Sequence, residues 1–90
     1  MEYKNIGDYL HDNNLHVLFS GKSYGENYKV AVQEIKRYGN TPIWVFGRVY
    51  ELYKGKYFFD TQGCKSFKDE KDAIKEACNF FGVNNDFFIN

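Results

Sequence analysis

His11, His16, Cys64 and Cys78 are the side chains of this sequence best suited to hold a metal ion or to act as nucleophiles. Zinc sites draw their ligands as close pairs, about two to four residues apart, because a tight turn then aims both at one ion. Cys64 and Cys78 are far wider apart than that, so no metal is expected. A Cys–His nucleophilic pair is not decided by spacing, since its members meet only in the fold. Nothing near either cysteine reads as an oxyanion hole, however, and Cys78 falls on an apolar helical stripe. Gly21-Lys22-Ser23 matches the end of a phosphate-binding loop, but the glycine that would bend backbone N–H groups around the phosphates is replaced by His16. Asp69, Glu70 and Asp72 crowd the first turn of a helix, where the helix dipole favours acids. They therefore need no acid–base role. Neither an enzyme nor a cofactor is expected.

The remaining chemistry is that of contact surfaces. Trp44, Arg48 and Tyr50 fall on one face of an apolar strand, and Phe87 and Phe88 lie near the end of the chain. Trp, Tyr and Arg are the residue types that most often dominate interface energy. A guanidinium is rarely wholly buried unless paired, so Arg48 implies that its face meets solvent or a partner. These five residues are the expected partner-binding site. The competing arrangement packs the N-terminal helix over Trp44 and Phe46, pairs Arg48 with Asp8 or Asp12, and tucks Phe87, Phe88 and Ile89 onto the core. Arg48, Lys54, Lys56, Lys65 and Lys68, interleaved with Trp44, Tyr50, Tyr53 and Tyr57, also form a mild basic-aromatic surface. Such surfaces stack bases and meet phosphates, which makes nucleic-acid binding the alternative function.

These residues must be positioned by six elements. Tyr3, Ile6, Tyr9 and Leu10 share a helical face, predicting a short helix over 3–13 that ends at Asn13 and Asn14. Leu15, Val17 and Phe19 alternate with His16, Leu18 and Ser20 as in a strand. Residues 20–27 read as an exposed loop. Tyr28, Val30 and Val32 share a face of the next strand, but Ile35 falls on the opposite parity, predicting a β-bulge near Gln33–Glu34. Gly39-Asn40 is a hairpin signal, and Ile43 to Tyr53 is apolar on both faces, as a central strand is. Lys54-Gly55 then turns the chain into a strand over 56–61. Ser66-Phe67-Lys68-Asp69 has the pattern of a capping box, and Ala73, Ile74, Ala77, Cys78 and Phe81 form the stripe of a helix over 66–81. Gly82 suits its end, with Val83 turned back over Cys78. The fold predicted is α+β: a four-stranded antiparallel meander with a short N-terminal helix and a C-terminal helix. The C-terminal helix is expected on the Ile43, Val45 and Val49 face.

Ninety residues make one domain, 1–90, with 84–90 open as a flexible tail. Twelve basic and twelve acidic residues give zero net charge, and each half of the chain is balanced too. That argues against a strongly basic nucleic-acid binder and against an acidic DNA mimic. No apolar run approaches the roughly 18 residues that span a bilayer, and no signal-peptide core follows Met1. A cytoplasmic protein with reduced thiols is therefore expected, with no membrane partner. The element order resembles that of double-stranded-RNA-binding domains, and Gly63, Lys65, Phe67 and Lys68 echo the basic approach to their second helix. Asp69, Glu70 and Asp72 stand where that family needs lysines.

Ile6 and Leu10 on the first helix, followed by Val17, Phe19, Ser20 and Gly21, resemble the start of a group of small phage anti-CRISPR proteins that inhibit Cas9. That group runs from a short helix through a strand ending in Ser-Gly to an antiparallel sheet and a closing helix. The resemblance covers residues 1–21 and the element order. It implies a phage or mobile-element inhibitor of a Cas effector or another bacterial defence protein, acting by protein–protein binding. The group's inhibitory residues form an acidic run that this sequence lacks, so none carries over.

Overall fold

Asn5 opens the first helix. In the computed structural model, which describes residues 2–23, 26–35 and 42–83, α1 spans Ile6–Asp12. Asn5 Oδ1 accepts from the Asp8 N–H at 3.0 Å, satisfying one of the orphan donors of a helix start. The helix is thus shorter than its apolar spacing predicts. Tyr3 lies ahead of it and donates its N–H to the Gly55 carbonyl at 2.8 Å. Asn14, at φ 54°, turns the chain through the left-handed region that asparagine tolerates.

Four strands follow: β1 (Leu15–Ser23), β2 (Glu26–Ile35), β3 (Ile43–Tyr53) and β4 (Lys56–Phe67), then α2 (Glu70–Phe81). The sheet order is β1-β2-β3-β4, every pair antiparallel. This is the α+β meander that the sequence predicts, with the doubly apolar β3 in the interior of the sheet. Phe87 and Phe88 lie outside the described residues.

Register corrects three local expectations. The bulge lies in β1, where Val17 pairs Ala31 and Phe19 pairs Val30, leaving Leu18 as the extra residue. Leu18 and Phe19 consequently both reach the same core. The pairing of β2 with β3 runs unbroken from Lys29↔Val49 to Ile35↔Ile43, so Ile35 simply shares the opposite face with Ala31. Ser20 to Ser23 continue β1 instead of forming a loop. Finally, β4 extends through Phe67, so Ser66 caps nothing; Asp69 is the N-cap of α2 and makes no side-chain capping bond.

The two helices occupy opposite faces of the sheet, and the faces are exchanged relative to expectation. Ala73, Ile74, Ala77 and Cys78 of α2 pack on Val30, Val32 and Phe46. Ile6, Tyr9 and Leu10 of α1 pack with Leu15, Ala31, Val49 and Phe59 on the other side. Volume explains the exchange, because interiors fill to crystal-like density. The small stripe of α2 seats against bulky Phe46, whereas α1 brings bulky side chains to the face that holds Ala31 and Gly47. The helix ends in a Schellman motif: Gly82 at φ 70°, its N–H on Asn79 O, and the Val83 N–H on Cys78 O at 2.8 Å.

Candidate functional site

The Trp44, Arg48 and Tyr50 face lies beneath α2, but α2 is too short to cover all of it. Twelve helical residues span about 18 Å, while the eleven residues of β3 extend about 36 Å. Trp44 and Phe46 are under the helix. Arg48 and Tyr50 lie where it ends.

Arg48 lies against two adjacent rings there. Its guanidinium carbon sits 4.9 Å from the Tyr28 ring centroid and 5.0 Å from that of Phe81. Arg48 Nη1 donates to the Tyr50 hydroxyl at 3.2 Å, while Nε is buried with no acceptor. Asp60 pairs with Arg48 in the β3–β4 register, yet Asp60 Oδ2 accepts from Gln62 Nε2 at 2.9 Å. Among the described residues no carboxylate forms an ion pair with Arg48. Its pKa is raised above an already high value, first by the Tyr50 hydrogen bond, against the effect of burial, and then by the nearby Tyr50, Tyr28 and Asp60. The group is a permanent cation.

Apolar surface surrounds it. Phe58, the register partner of Tyr50, is 49% exposed, and Phe80 is 52% exposed. Phe80 packs edge-on against Phe81 at 4.9 Å and Phe46 at 5.7 Å, so its ring is supported while its outer side stays in solvent. Tyr28 stacks near both Tyr50 and Phe81. The arrangement is a cation beside aromatic rings, residue types that are enriched at interface cores.

Of the three described residues expected in the site, the structure brings together Arg48 and Tyr50. Trp44 lies about four residues away along β3, roughly 13 Å, packed against the α2 core with its ring 5.5 Å from that of His16. The arrangement with α1 over Trp44 and Phe46 does not occur, and Asp8 and Asp12 do not reach Arg48, because α1 lies on the other side of the sheet. Sequence reading missed Tyr28, Phe58, Phe80 and Phe81. Strand parity with Val30 places Tyr28 on the α2 face, but the contact needs the cross-strand register as well.

Other chemistry is accounted for by pairing or burial. His16 Nδ1 and Glu70 Oε2 are 2.8 Å apart, tying β1 to the first turn of α2. Cys78 is fully buried, and burial pushes its thiol pKa up. No three His, Cys, Asp or Glu side chains gather around a common point among the described residues. A recess of about 400 Å³ on the α1 side is lined by Ile6, Ser20, Lys29, Val49, Glu51 and Tyr57. Lys29 Nζ donates to Ser20 Oγ at 3.3 Å there, and the Tyr57 pKa is raised by burial first and then by the nearby Glu51. The lysines do not join Arg48 in one basic stripe. Lys54 and Lys56 belong to the β3–β4 hairpin, with Lys56 Nζ over the Tyr53 ring, and Lys68 precedes α2. No family model, curated protein or solved structure matches this chain.

Proposed function

We propose that this protein is a non-enzymatic binding protein that engages a protein partner through the face formed by Arg48, Tyr50, Phe58 and Phe80. The observation that carries this reading is Arg48 itself, set against the Tyr28 and Phe81 rings beside exposed aromatic surface, with no ion pair among the described residues and its Nε buried without an acceptor. A buried polar atom left unsatisfied costs about 1–3 kcal/mol, so this placement is an expensive feature for a merely solvated face. The resemblance of residues 1–21 to phage anti-CRISPR proteins supports a bacterial defence protein, with a Cas effector first, as the partner class. The spread of the lysines gives no support to nucleic acid as the partner.

The test is binding to a purified Cas9 effector, alongside capture from a bacterial lysate with the retained protein identified by mass. Arg48→Glu and Tyr50→Ala are expected to weaken the complex by about 2 kcal/mol or more each, with the thermal midpoint nearly unchanged. Retention of nothing above background across several hosts defeats the reading. Unfolding of both variants would instead show that the face is core.

A further inference from the structure

We infer that the partner segment recognised at this face carries a carboxylate, from Asp or Glu, next to a large apolar side chain. The inference rests on the protein-binding reading above and names the chemistry of what is bound.

The adjacent Tyr28 and Phe81 rings and the Tyr50 hydroxyl together hold the Arg48 guanidinium in place. Tyr50 takes one hydrogen bond from Nη1, and among the described residues the remaining Nη hydrogens have no acceptor. A guanidinium held in this way favours oxyanions that offer two oxygens to its fork of N–H groups, carboxylate or phosphate. The surroundings discriminate between the two. Phosphate sites gather several cations or backbone N–H groups around a dianion. Among the described residues Arg48 stands as the single cation of this face, with Asp60 opposite it in register, so the several cations that a phosphate site gathers are missing. Phe58 and Phe80 supply the exposed apolar surface on which a neighbouring side chain can lie. Gln62 completes the device. By donating to Asp60 Oδ2 it keeps the internal carboxylate from closing on Arg48, so the cation stays available to an external one.

The probe is the capped peptide acetyl-Gly-Phe-Glu-Leu-Phe-Gly-amide, titrated into the full, isotopically labelled protein and followed by NMR. Controls are the same peptide with Gln for Glu, the peptide with phosphoserine for Glu, and inorganic phosphate. The Glu peptide is expected to bind saturably, to shift the Arg48 side chain together with Tyr50, Phe58 and Phe80, and to bind at least fivefold tighter than the Gln peptide. Arg48→Gln should abolish that preference while leaving the protein folded. Arg48→Lys should restore part of it, and Asp60→Asn should strengthen it. Equal binding of the Glu and Gln peptides, tighter binding of phosphoserine, or no shift at the face up to millimolar peptide each overturn the inference. Failure of the broader reading looks different: no partner is captured, or capture survives Arg48→Gln, Tyr50→Ala and Phe80→Ala alike. If partner capture is lost on Phe80→Ala or Tyr50→Ala but survives Arg48→Gln, the surface is real and the carboxylate is not what it recognises.

Discussion

Arg48 and Asp60 stand opposite each other across β3 and β4 without forming an ion pair, and Asp60 accepts instead from Gln62 two residues along its own strand. Residues i and i+2 of a strand share a face, so Gln62 reaches Asp60 at no cost in register. Its Nε2 also lies 3.3 Å from the Asp60 carbonyl oxygen. The amide thus bridges the carboxylate and the backbone carbonyl of one residue. On the proposed reading, this glutamine sets the competition between Asp60 and a partner's carboxylate for Arg48.

Removing Gln62 should therefore close the site. In Gln62→Leu, Asp60 is expected to turn onto Arg48, and affinity for an acidic probe should fall several-fold. Half-exposed ion pairs contribute only about 0–1 kcal/mol, so urea unfolding should change by about 0.5 kcal/mol at most. An unchanged affinity with an intact fold would show that Gln62 does not control Asp60.

Gly21 tests the Tyr28 contact from behind. A Cβ at this position would meet the Tyr28 ring, with Cζ and the hydroxyl oxygen 2.5 Å away. The obstacle is the far end of a side chain, so Gly21→Ala should push Tyr28 aside at about 1 kcal/mol of stability. The displaced ring leaves Arg48 without one of its two ring contacts. Partner binding should drop more than stability does. Gly47→Ala makes the contrast, since its Cβ would run into the Asp60 carbonyl and Thr61 Cα, both backbone. That variant should lose about 3 kcal/mol, measured by urea unfolding.

The element order could be read from the sequence because each signal for it is local. Asn13-Asn14, Lys54-Gly55 and Gly82 mark their turns by backbone preference alone. Which face each helix covers was not legible, because parity sorts Trp44, Phe46 and Arg48 from Ile43, Val45 and Val49 without saying what lies above either set. The answer depends on volume: a stripe of Ala73, Ala77 and Cys78 needs large residues beneath it. The capping box at Ser66 was outcompeted by strand pairing, which carries β4 to Phe67 opposite Trp44. At the site, Arg48 and Tyr50 share a strand and were visible together, but Tyr28 and Phe81 join them only through a register and a helix docking that no short window contains.

Ala77 reports directly on that docking. It has no exposed surface and packs in the cluster with Phe46. Ala77→Leu should overpack the interface between α2 and the sheet and cost about 1–3 kcal/mol. The same exchange at exposed Lys75 should stay within about 0.5 kcal/mol. Equal effects at the two positions in thermal or urea unfolding would place α2 in a different orientation.

Alkaline pH should expose the burial of Cys78. Burial raises its thiol pKa in the folded state, and Tyr9 is raised as well, by burial first and then by Tyr3, against a bond from the Phe59 backbone. Ordinary thiols titrate near pH ~8.5 and tyrosines near ~10. Below that range both states hold these protons, and stability does not depend on them. Above it the unfolded chain releases protons that the folded chain retains, so unfolding becomes more favourable as pH rises. The slope from one such group is at most about 1.4 kcal/mol per pH unit. Urea unfolding should accordingly show a level stability up to about pH 8 and a decline from there to pH 10. Cys78→Ala should delay the onset of that decline into the range where Tyr9 titrates, while Cys64→Ser, used for comparison, keeps the Cys78 contribution. If Cys78→Ala loses stability between pH 8 and 10 as steeply as the parent, the thiol is not held protonated beneath α2.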